Sequence, residues 1–91
     1  MFYQTESKPQ CWRAVAVFED RPSLLIYLGR SSTQVRAGFA AAFFEVLDDE
    51  ERDQVRSVAL ERWQGAPDAG RWIQQTTLAI PTTAAKVAQS A

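Results

Sequence analysis

The stretch from Ser32 to Leu47, S-T-Q-V-R-A-G-F-A-A-A-F-F-E-V-L, constrains this chain more than any other. At helical spacing Val35, Phe39, Ala42, Phe43 and Val46 share one side. Ala37, Ala40, Ala41, Phe44 and Leu47 cover much of the other, leaving Gln34, Gly38 and Glu45 as a narrow polar or bare strip. Arg36 stands isolated among apolar neighbours. A helix that is apolar on nearly every side expects contacts on more than one face. It is too short and too interrupted by charge to span a membrane. The expectation is a central helix covered by a sheet, a second helix or a partner chain.

The segments before it read as a β-hairpin. In Gln10 to Glu19, Trp12, Ala14, Ala16 and Phe18 alternate with Cys11, Arg13, Val15 and Val17, and both sets are largely apolar. Glu19-Asp20-Arg21-Pro22-Ser23 is a turn, because Pro22 fixes its own φ and has no N–H to donate. Leu24 to Arg30, L-L-I-Y-L-G-R, is a nearly continuous apolar run, as expected of a strand covered on both faces. Gly29 lets the backbone leave the sheet. Ser31 or Ser32 then caps the helix by accepting from a free backbone N–H.

The segments after it read as a second helix and a third strand. Asp48 and Glu51 have capping-box spacing, and four consecutive acids from Asp48 complement a helix N-terminus. From Asp49 to Trp63, the residues Val55, Val58, Ala59 and Trp63 fall on one helical face, opposite Glu50, Asp53, Gln54, Ser57 and Glu61. Gln64 to Gly70 is a loop, with Gly65 placed to end that helix in a left-handed conformation. Arg71 to Ile80 alternates as a strand and Pro81 stops it.

The resulting expectation is an α+β fold of order ββααβ, a small three-stranded, mainly antiparallel sheet with a two-helix hairpin on one face. The expected strand order is 1-2-3, with Leu24 to Arg30 in the middle; strand 3 running parallel beside strand 1 is the alternative. Residues 10–81 form the expected single domain. Residues 1–9 form an N-terminal arm, and 82–91 a small, polar, disordered tail. The expected core contains Ile26, Leu28, Phe39, Phe43, Val46, Val55, Val58 and Trp63.

Little in the chain points to catalysis. There is no histidine, the commonest general base and metal ligand. Cys11 is the single thiol, and it reads as a small strand residue because no histidine is present to generate its thiolate. The acids from Asp48 to Glu51 fan out around a helix rather than converge, so no metal site and no cofactor are expected. Gly65 and Gly70 flank A-P-D-A with no lysine following, so no phosphate loop is spelled out. The junction from Gly29 to Ser32 sets free N–H groups beside Arg30, and its simpler reading is an ordinary capped helix start. The lone cysteine and the lack of an apolar leader fit a reducing, bacterial-type cytoplasm, with no membrane partner.

Two binding surfaces are suggested instead. If the helices cover the Trp12, Ala14, Ala16 and Phe18 side, then Val15, Val17, Leu25 and Tyr27 form the uncovered back of the sheet. An apolar back is the mark of a protein interface, with a second copy or a dedicated partner. The expected function is therefore a non-catalytic protein acting through protein contacts. The alternative is a single-stranded nucleic-acid or RNA platform using Arg13, Arg30, Arg71 and Trp72. A net charge of −1 disfavours it.

Overall fold

In a computed structural model, which describes residues 10–82, the chain folds as ββααββ. Strands β1 (Trp12–Phe18) and β2 (Leu24–Gly29) are followed by helices α1 (Ser32–Val46) and α2 (Asp49–Gln54). Strands β3 (Val55–Gln64) and β4 (Arg71–Leu78) complete one antiparallel sheet of order β2-β1-β3-β4. The α+β class stands. The expected three strands are four, ββααβ becomes ββααββ, and the 1-2-3 order is replaced. The expected arm and residues 83–91 of the expected tail lie outside the described residues; Thr82 is in no helix or strand.

The error lies in the segment from Val55 to Trp63, which is a strand and not the second half of a helix. Its Val58 and Ala59 fit a helical stripe, but Val58 and Leu60 also fit a two-residue alternation facing the core. Tertiary context decides between them. β1 is apolar on both faces and needs a partner along each edge. β2 takes one edge and β3 the other. The central strands are therefore β1 and β3, and Leu24 to Gly29 lies at an edge. Gly65 does adopt positive φ, +111°, but in the β3–β4 hairpin loop rather than at a helix end.

Helix α1 begins on the expected cap: the Ser31 side chain accepts from the Gln34 N–H at 3.1 Å. It packs against β2 and β1 through one stripe, Val35, Phe39 and Phe43, with Leu47 following. These meet Ala14, Ala16, Phe18, Ile26, Val58, Leu60 and Leu78 from the sheet. Phe39, Phe43, Val58 and Ile26 are thus core, as expected, and Val55 packs at its margin. Val46 and Leu28 are not: they are 44% and 36% exposed. The other side of α1 is left open, with Ala37 and Ala41 exposed, because alanine there supplies helix propensity without requiring burial.

Helix α2 is a single short segment with no buried residue. The Asp48–Glu51 capping box is formed in both directions, at 2.8 and 2.9 Å. Arginines tie α2 down. Arg52 donates to the Leu47 carbonyl at 2.5 Å, pairs with Asp49 and lies over the Phe44 ring. Arg21, from the β1–β2 turn, reaches Gln54 at 3.1 Å and Glu51 at 3.4 Å.

Candidate interaction surface

The face of the sheet opposite α1 is carried by alternate residues. On β1 these are Arg13, Val15 and Val17. Across from them on β3 stand Glu61, Ala59 and Ser57. Thr77 and Gln74 of β4 continue the rows outward from Ala59 and Glu61. Alternation predicts this segregation, and the expected division of β1 holds: Ala14, Ala16 and Phe18 join the helix-side core.

On β2 the alternation is broken. Ala14 pairs with Tyr27 but Val15 pairs with Leu25, so Ile26 is an extra residue in a bulge. A bulge places two successive side chains toward one side. Ile26 enters the core, and Tyr27 packs against it from the α1 side. A Cβ on Gly38 of α1 would lie 2.4 Å from the Tyr27 ring, so glycine is what lets helix and tyrosine approach. Of the four residues expected on the back of the sheet, Val15, Val17 and Leu25 are brought together and Tyr27 is not. Leu28, paired with Arg13, stands on that face in its place. The sequence carries no signal for the bulge, since the L-L-I-Y-L run is apolar in every register.

The burial of this face is graded. Val15 and Ala59 are 4% and 2% exposed. Toward β2 the surface opens: Leu25 is 46% exposed and Leu28 36%, while Leu24, paired with Ala16, is exposed on the opposite, helix side of the same edge strand. Three of the five exposed large hydrophobic residues among those described are on β2, so the exposed apolar surface is concentrated rather than scattered.

Toward the far end the face becomes polar and aromatic. Arg13 pairs with Glu61 at 2.7 Å, with both side chains mostly shielded. Its guanidinium lies 4.1 Å from the centre of the Trp72 ring. Trp72 meets its cross-strand partner Trp63 edge to face, centroids 5.3 Å apart. Trp63 donates its indole N–H to the Ala66 carbonyl, which folds the hairpin loop back on the pair. Trp63 is therefore a half-buried member of this surface and not of the helix-side core. The sequence signal for the hairpin was the symmetry about the loop, W-Q before it and R-W after it.

The four residues of the nucleic-acid alternative lie at one end of the sheet but not on one face: Arg13 and Trp72 are on the helix-free face, and Arg71, one residue from Trp72, is on the other. Arg13 and Trp72 are engaged with each other and with Glu61. Arg30 and Arg71 are exposed at the same end of the sheet, after β2 and at the start of β4. The Gly29–Ser32 junction satisfies donors internally: the Arg30 N–H donates to the Gln34 side chain at 2.6 Å. Cys11 is half-buried near Trp63 and Trp72. Among the described residues no group of acidic, cysteine or histidine side chains is placed to hold a metal ion, and no helix is long and apolar enough to cross a membrane.

The fold and surface define a small α+β protein with one sheet face packed by a helix and the other left without one. No protein-family model, curated protein or solved structure matches the chain.

Proposed function

We propose that this protein acts by binding another protein rather than by catalysis, and that the partner is a second copy meeting it across β2 and the helix-free sheet face. The observation that carries this reading is the exposed apolar pair Leu25 and Leu28 of β2, which adjoins the half-buried Val17 on the same face. Apolar surface of this kind gains roughly 25 cal/mol per Å² on burial. A specific interface buries on the order of 800 Å² per partner, more than two leucines supply, so the rest of the β2 edge must take part as well. The polar margin does not oppose self-association: Arg13 and Glu61 neutralise each other at 2.7 Å, so two copies meet there without an unpaired charge of either sign.

Light scattering tests this. The wild type is expected at twice the chain mass at high micromolar concentration. Leu25→Glu and Val17→Glu are each expected to halve that mass with the circular-dichroism spectrum unchanged. A wild type that is monomeric at that concentration rules the homodimer out. A dimer that survives both substitutions places the contact elsewhere.

A further inference from the structure

The sheet also sorts charge by its two ends. Antiparallel pairing brings the start of β1, the end of β2, the end of β3 and the start of β4 together. Among the described residues, five arginines stand at this end or one helical turn from it: Arg13, Arg30, Arg36, Arg62 and Arg71, against two acids, Glu61 and Asp68. The opposite end holds eight acids, Glu19, Asp20, Glu45 and five between Asp48 and Asp53, against three arginines. Those three, Arg21, Arg52 and Arg56, are each paired with an acid there. At the arginine end Arg13 alone is paired among the described residues. Arg30, Arg36, Arg62 and Arg71 are exposed and form no ion pair among the described residues.

Two of these arginines are closely placed. Arg62 pairs across β3 and β4 with Ile73, and Gln64, two residues on, pairs with Arg71. Arg62 and Arg71 are thus diagonal neighbours on one face, on the order of 7 Å apart at the backbone. Arg62 is steadied by the Trp12 ring, 5.3 Å from its guanidinium carbon.

We propose that this arginine end is a docking site for a short acidic segment of a partner protein, separate from the apolar face. Guanidinium groups bind carboxylates through paired N–H donors, and unpaired exposed arginines are free to do so. The arrangement favours a short acidic peptide over a nucleic acid on two grounds. The aromatic faces that would stack on bases are already taken, Trp12 by Arg62 and Trp72 by Arg13. A long polyanion would also run on toward the acidic end and be repelled there, whereas a short one ends within the patch.

The test is fluorescence anisotropy at low ionic strength with two labelled probes, a peptide of about ten residues, mostly glutamate, and an oligothymidylate of similar length. Saturable binding of the peptide is expected, weakened about tenfold or more by the double substitution Arg62→Glu and Arg71→Glu. Arg36→Glu, on a separate element, is expected to weaken it as well. Arg56→Ala, at the acidic end, is expected to leave it unchanged. Absence of saturable peptide binding overturns the proposal. So does equal binding by the double variant with its fold intact, and so does tighter binding of the oligothymidylate through the same arginines, which assigns the patch to nucleic acid.

Discussion

Phe43 shows how much one residue is asked to do. It is fully buried, sits between neighbours from β1, β2 and β3, and meets Phe44 edge to face at 5.5 Å. Phe43→Ala is expected to cost about 3–5 kcal/mol, read from the shift of a urea unfolding midpoint. In a domain this small that approaches the whole stability. Gly38 acts by what it lacks. Gly38→Ala improves helix propensity by up to about 1 kcal/mol, yet sets a methyl against the Tyr27 ring. The expected sign is destabilising in the wild type and stabilising in a Tyr27→Ala background. A double-mutant cycle reads that reversal directly, and additive effects would show that helix and tyrosine do not in fact touch.

At the scale of elements, protection should follow the sheet order. Amides of β1 and β3, paired on both edges, are expected to exchange hydrogen only through global unfolding. Those of α2, with no buried side chain, are expected to exchange through local opening. Strong, helix-like protection running without a break from Asp49 to Trp63 would contradict the strand assignment of β3. The legibility of the fold in the sequence follows the same lines. β1, β2, α1 and both helix starts could be read because period, turn and cap agree there: Pro22 in the turn, Ser31 at one cap, Asp48 and Glu51 at the other. β4 could be read too, ending at Leu78 rather than Ile80. Val55 to Gln64 could not, because its apolar residues satisfy two periods at once and only the vacancy beside β1 selects one. The back of the sheet was legible on β1, where alternation is strict, and partly lost on β2, where a bulge moves Tyr27 to the helix side.

For the whole molecule, the two proposed surfaces make different demands on solution conditions. Association through an apolar face couples folding to concentration, so the unfolding temperature is expected to rise as protein concentration increases across the micromolar range. A concentration-independent melting temperature would argue against dimerisation. Docking at the arginine end is electrostatic and is expected to fade between about 0.05 and 0.5 M salt. Salt therefore separates the two, since it does not weaken apolar burial.

The position of β1 also has a consequence for how the chain is made. Its edge toward β3 waits for partners that lie 37 to 50 positions further along. A ribosome adding about 5–20 residues per second leaves that edge open for seconds after the β1–β2 hairpin has emerged. The pairing is also the slow kind, since a long loop must close before it is rewarded. A nascent chain arrested before Val55 leaves the tunnel would present a bare, apolar strand to every neighbour. Chains stalled there are expected to be bound by chaperones far more than chains stalled after Leu78, and ribosome-nascent-chain pulldowns at the two lengths would show it.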